Sequence, residues 1–177
     1  MGIQSLLFYS LVAWLPAIVV SKGLSHIFAG NMALVFQLIA IPITLIIPML
    51  CDKFKNQRIL VSITCLLYLS GMFLLLIGQA KFIITLAVLF LSLGMGGAIS
   101  LAIAFISLRT PNATRATELS GMSQSAGYII AAVGPIMLGV IYDLVADWSI
   151  PILIFIGLII LLTLCGLKAG NNLVIKE

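Results

Sequence analysis

Charge is what this sequence has least of. Nine basic and five acidic side chains are spread over 177 residues, together with a single histidine. Charged residues make up 8% of the chain and hydrophobic ones 63%. Three cysteines, Cys51, Cys65 and Cys165, are an odd number with no close spacing, which is not a disulfide framework. All three read as small buried hydrophobes. No His/Cys cluster has metal-ligand spacing, and no Walker-type glycine loop occurs. His26 falls in a short connector and reads as solvated. Neither a catalytic residue nor a cofactor is expected, because no nucleophile–base set lies in the apolar segments. The net charge of +4 does not point to nucleic acid, since the basic residues stand at the ends of apolar runs, where topology charges belong. Period-two alternation is also missing, which excludes a membrane β-barrel with strands near ten residues.

What fills the chain is six long apolar runs, at about residues 3–21, 28–50, 59–79, 82–107, 119–142 and 148–168. A helix needs roughly 20 apolar residues to cross a bilayer core about 30 Å thick. Lipid offers the backbone no hydrogen bonds, so such runs must be helices. The expected fold is therefore an all-α membrane protein of six transmembrane helices in one domain over residues 1–177. The connectors are too short to fold separately; the longest runs from Ser107 to Leu119. The first run has no basic residue before it, and Lys22 follows it, so it reads as a retained helix and not a signal peptide.

Basic residues set the expected orientation. Lys53, Lys55, Arg58, Arg109, Arg115, Lys168 and Lys176 fall on one side, and only Lys22 and Lys81 on the other. Positive charge favours the cytoplasm. Both termini are thus expected there, in a multi-pass protein of the plasma (inner) membrane. The acceptor Asn112-Ala113-Thr114 would then be idle for glycosylation. Cutting the six spans into two triplets gives the inverted-repeat plan of many transporter halves.

Small residues four apart mark packing faces: Ser92, Gly96, Ser100 and Ala104 in the fourth run, and Ser123, Gly127 and Ala131 in the fifth, with Gly139 beyond. Pro16, Pro42, Pro48 and Pro135 each remove a backbone hydrogen bond inside a span. Several kinks in one bundle favour a moving protein over a rigid anchor.

Polar side chains inside spans turn toward the bundle interior or a water-filled cavity. Ser120, Gln124 and Tyr128 share a face of the fifth run. The first run contributes Gln4, Ser5, Tyr9, Ser10 and Trp14, the last as a possible packing aromatic, and the second contributes Gln37. Gln4, Tyr9, Gln37, Gln124 and Tyr128 are the candidates for contact with a small polar solute. The alternative role for Gln124 and Tyr128 is to tie helices together. No acidic or basic side chain lies deep in a span, so neither a proton relay nor a counter-charge for a strongly charged solute is visible.

Two segments resemble the major facilitator superfamily. Cys51-Asp52-Lys53-Phe54-Lys55-Asn56-Gln57-Arg58 is similar to a degenerate form of its cytoplasmic acidic–basic loop, and Gly134-Pro135-Ile136-Met137-Leu138-Gly139 resembles its glycine–proline helix motif. The closer likeness is to the cyanate and nitroimidazole permease branch. Gln4-Ser5-Leu6-Leu7-Phe8-Tyr9-Ser10-Leu11-Val12-Ala13-Trp14-Leu15-Pro16 resembles the seventh helix of those proteins, Gln37 with Ile41-Pro42 the eighth, and Gly121-Met122-Ser123-Gln124-Ser125-Ala126-Gly127-Tyr128 the eleventh. The resemblance implies the C-terminal half of a twelve-helix carrier that moves a small solute by alternating access. It implies a missing partner, either an N-terminal six-helix half or a second copy. Asp52, Arg58 and Arg115 would contribute to a cytoplasmic gate, although ordinary solvated helix ends explain them as well. The competing expectation is a truncated remnant or membrane scaffold that transports nothing.

Overall fold

The computed structural model describes residues 1–54 and 56–171. Six α-helices and no strand occupy the described residues. They are α1 (Gly2–Ser21), α2 (His26–Lys53), α3 (Arg58–Ile77), α4 (Lys81–Leu108), α5 (Ala113–Val145) and α6 (Ser149–Ala169). All six are long and apolar enough to cross a membrane. The shortest, α1 and α3, have 20 residues each and so reach about 30 Å, the thickness of the hydrocarbon core. The chain is a multi-pass membrane protein.

Helix boundaries follow the apolar runs except at α5, which starts at Ala113 and not near residue 119. The apolar pattern registers only the part of a helix that meets lipid. The first turns of α5 are polar, and they are held by other means. The Asn112 side chain accepts a hydrogen bond from the Arg115 amide at 2.9 Å, and Arg115 pairs with Glu118 at 3.0 Å. Two smaller expectations also change. His26 opens α2 instead of lying in a connector, behind a Ser25 cap that accepts from the Phe28 amide. Cys165 is exposed, while Cys51 and Cys65 are buried as expected. Lys55 and Lys176 lie outside the described residues.

Consecutive spans alternate in direction. The α2–α3 and α4–α5 turns therefore share one end of the bundle with the start of α1 and the end of α6; this is the basic end. Arg109 ties it together. Its guanidinium is buried and donates to the Ala169 carbonyl at 3.1 Å, to the Gly170 carbonyl at 3.3 Å and to the Gln57 side-chain oxygen. Gln57 in turn donates to the Phe54 carbonyl at 2.8 Å. One cation thus meets the orphan carbonyls at the end of α6, where a positive charge is favourable. Arg58 adds a bond to the Leu167 carbonyl at 3.1 Å. At the opposite end, Trp148 stacks on Tyr142 with ring centres 4.3 Å apart and meets Trp14 at 5.3 Å. That cluster joins α1, α5 and α6.

The packing is set by α4. On one side a Cβ added at Gly96 would lie 2.8 Å from the Ala40 carbonyl oxygen, and Ser100 donates to the Thr44 carbonyl at 2.9 Å. On the other side a Cβ at Gly94 would lie 2.6 Å from the Tyr68 Cα, and one at Gly97 would meet Thr64. The backbones of α2, α4 and α3 are therefore in near contact, which only glycine permits. The small-residue face read from Ser92, Gly96, Ser100 and Ala104 does meet α2 through its middle pair. Helices α1 and α5 pair in the same way, side by side and parallel. Gly127, Ala131, Gly134 and Leu138 are the buried residues of α5, and Gly134 lies against Leu6 and Ser10 of α1. Exchanging the first three helices for the last three maps the α1–α5 pair onto the α4–α2 pair, as two inverted three-helix repeats require.

Two of the proline positions show how the bundle repairs or spans them. Pro48 lacks an N–H, which frees the carbonyl four residues earlier. That carbonyl belongs to Thr44, and it is the one Ser100 reaches from α4. At Pro135, the Trp14 indole N–H donates to the proline's own carbonyl at 2.8 Å, binding α1 to α5 beside the proline.

Two outcomes follow for thermal unfolding in detergent. Gly94→Ala lowers stability by roughly 1–3 kcal/mol, since the Tyr68 backbone must retreat, whereas Gly121→Ala, with nothing within 4 Å, leaves the midpoint unchanged or raises it. Ser100→Ala costs about 0.6 kcal/mol and at most about 1.7 kcal/mol, the average and the largest value for hydrogen bonds between membrane helices.

Candidate functional site

Most of α1 is sunk in the bundle. Leu7, Leu11, Leu15 and Ile18 are fully buried. The exposed strip of α1 includes Tyr9 and Ala13, four residues apart on one face. Because α5 packs parallel to α1, Tyr128 arrives beside Tyr9. The two rings meet edge to face with centres 6.1 Å apart, and Phe8 supports Tyr9 at 5.0 Å. Tyr9 is 42% exposed and Tyr128 49%. Neither hydroxyl has a hydrogen-bond partner among the described residues.

One turn before Tyr128, the Gln124 amide nitrogen donates to the Ser120 hydroxyl at 2.7 Å. That bond holds the side chain along the helix and leaves its carbonyl oxygen as an acceptor. Gln37 stands exposed on α2, well inside the helix, and its amide has no partner among the described residues. Gln4 is placed differently. It is buried at the start of α1, where its side-chain oxygen faces the Ser5 hydroxyl at a long 3.4 Å. The structure thus brings Tyr9 and Tyr128 together on an open surface, with Gln124 on the same helix as Tyr128. Gln37 is exposed on a separate helix, and Gln4 is buried near the start of α1.

The energetics of this surface are unlike those of a lipid face. An amide or hydroxyl moved into hydrocarbon without a partner costs roughly 2–7 kcal/mol. Gln37 and the two tyrosine hydroxyls would incur that cost together. Exposed polar groups of this kind within spanning helices belong against water or another polypeptide. By contrast, the exposed residues Leu66 and Phe73 of α3 suit lipid.

The three gate candidates are not joined to one another. Asp52 is exposed at the end of α2, beside a cleft of about 350 Å³ that also includes Ser107. Arg58 is engaged with Leu167, and Arg115 with Glu118. No ion pair links Asp52 to either arginine among the described residues. No group of three metal-ligating side chains occurs among those residues either. Sequence reasoning passed over Arg109, the side chain with the most elaborate contacts at the basic end. It stands two residues beyond an apolar run, where nothing separates it from an ordinary topology charge.

With Cys51, Cys65 and Cys165 replaced, Gln37→Cys is expected to react with a water-soluble maleimide in native membranes, and Leu66→Cys is not. Equal protection of the two would mean that the Gln37 face lies against lipid.

Over 172 residues the chain is 41% identical to the uncharacterized transporter YycB of Bacillus subtilis (strain 168), covering 97% of this chain and 43% of the relative. It is 37% identical over 172 residues to the 2-nitroimidazole transporter of Escherichia coli (strain K12), with the same coverage of both. It is 28% identical over 156 residues to the cyanate transport protein CynX of the same organism, covering 86% of this chain and 40% of that protein. No family model and no solved structure matches. The chain spans less than half the length of these curated relatives. Its six spans and its extent are consistent with one half of a major-facilitator-type transporter.

Proposed function

We propose that this chain is the C-terminal half of a two-half carrier that moves a small solute by alternating access, and that Tyr9, Gln37, Gln124 and Tyr128 form its wall of the central cavity. The observation that carries the reading is the unpartnered polar surface at membrane depth, with exposed tyrosines in edge-to-face contact. It needs a second wall to exclude lipid, and in carriers of this plan the site lies between the repeats near the midplane. The second wall is an N-terminal six-helix half, in the same or a separate polypeptide, or a second copy of this chain. Gln4 reaches the solute only if α1 shifts. Asp52, Arg58 and Arg115 act at the cytoplasmic gate once the other half closes on them. The basic end faces the cytoplasm of the plasma membrane, in keeping with its excess of lysine and arginine. The chain has no catalytic role.

The solute is small, unsaturated and rich in hydrogen-bond acceptors, as 2-nitroimidazole and cyanate are. Tyrosine hydroxyls supply donors, the rings offer a flat surface, and the Gln124 oxygen accepts. Co-expression with a matching six-helix half should restore uptake of one of these two probes. Tyr128→Phe or Gln124→Ala should then raise the half-saturating concentration three- to tenfold, the equivalent of one hydrogen bond of about 0.5–1.5 kcal/mol. Unchanged uptake in both variants would remove this face from the cavity. Absence of uptake with any matching half would favour the remnant or scaffold reading.

A further inference from the structure

A second hollow lies away from the Tyr9–Tyr128 surface, at the basic end between α3, α4, α5 and α6. It measures about 460 Å³ and is walled mainly by apolar side chains: Val61 of α3, Leu101 and Phe105 of α4, Leu119 of α5 and Leu162 of α6. Arg109 and Lys168 also line it. On α5 its wall is formed by Leu119 and Ser123, four apart on one face, while the first buried residue of that helix is Gly127, which lies against α1.

The shape and the charge point the same way. Along α4 the lining runs from Ala98 to Arg109, about 16 Å at 1.5 Å per residue. That is close to half of the roughly 30 Å hydrocarbon core, so the crevice is about as deep as one leaflet. The deep part is mainly apolar, with Thr64 and Ser123 as its hydroxyl-bearing residues. Its two cationic side chains stand at helix ends, at the level of lipid phosphates. Lys168 is exposed and Arg109 is buried beside it. The Arg109 N–H groups serve Gln57 and the last carbonyls of α6. Basic pockets between helices at the membrane surface are sites for anionic head groups.

We propose that this crevice seats one acyl chain of an anionic phospholipid from the leaflet at the basic end, with its phosphate drawn to Lys168 and Arg109. A lipid in this place wedges α5 apart from α4 and α6 at the end where α5 is otherwise least supported. Its presence therefore stabilises the position of the helix that carries Gln124 and Tyr128.

The test is lipid retention by the purified full chain, read by native mass spectrometry and by the thermal midpoint in detergent. Phosphatidylglycerol and phosphatidylcholine of equal chain length are the probes. Phosphatidylglycerol should be retained at least fivefold better and raise the midpoint more. Lys168→Gln, at an exposed helix end, should reduce that preference severalfold without loss of fold. Ala102→Phe, whose ring enters the crevice, should abolish retention of both lipids. Equal retention of the two lipids, or full retention by Ala102→Phe, overturns the proposal. So does competition by free glycerol phosphate at the lipid's own concentration, which would make the ligand a soluble phosphate. Retention that appears only after deletion of residues 172–177 also overturns it, by assigning the crevice to the chain's own end.

Discussion

Backbone-to-backbone contact on both sides of α4 is the constraint on which the rest of this bundle depends. In lipid, apolar side chains gain little by leaving one hydrocarbon surface for another, so association rests on close packing and on hydrogen bonds between helices. Gly96 lets α2 in and Gly94 lets α3 in. With both neighbours held so near, the Ser100 hydroxyl reaches a backbone carbonyl across the gap. Tyr68 fills the space over Gly94 and is fully buried, although its hydroxyl has no protein partner among the described residues. The shape of the packed layer, more than polar satisfaction, fixes that residue.

The α1–α5 pair follows the same rule and turns it to another use. Gly134 accepts Leu6 and Ser10, and Gly139 lies under the Trp14 ring. Trp14 then bonds the Pro135 carbonyl. Two parallel helices, both interrupted by proline, are thereby fastened along their length. Their shared outer edge is where Tyr9 and Tyr128 meet. A displacement of α1 carries α5 with it, so the two rings keep their relation while their surroundings change. The proposed cavity wall would need this property in order to face each side of a membrane in turn.

Much of the architecture was legible because membrane helices announce themselves by length and hydropathy alone. The six runs gave the six helices, and spacing of four gave the meeting of Gly96 with α2. The start of α5 was hidden because Asn112, Arg115 and Glu118 build a helix from caps and charges, outside the lipid that makes spans visible. The site was half legible. Spacing placed Gln124 near Ser120 on one helix, but no local pattern foretold that Tyr9 and Tyr128, 119 positions apart, would touch. That contact arises from the parallel register of α1 and α5, a tertiary fact. Gln4 and Gln37 are the same residue type in similar apolar settings. One is buried and the other exposed, because helical phase relative to distant neighbours decides and composition does not.

The bond from Ser100 to the carbonyl freed by Pro48 links two positions 52 apart in the chain. Each is tolerable only in the company of the other. A proline here without the hydroxyl leaves a naked carbonyl, and the hydroxyl without the proline has to share an acceptor already taken by the helix. Evolutionary drift at this place is therefore a two-step path with an unfavourable middle. Sequences that descend from a common ancestor should keep the pair or lose it together, so the proline in α2 is inherited as a property of two helices and not of one.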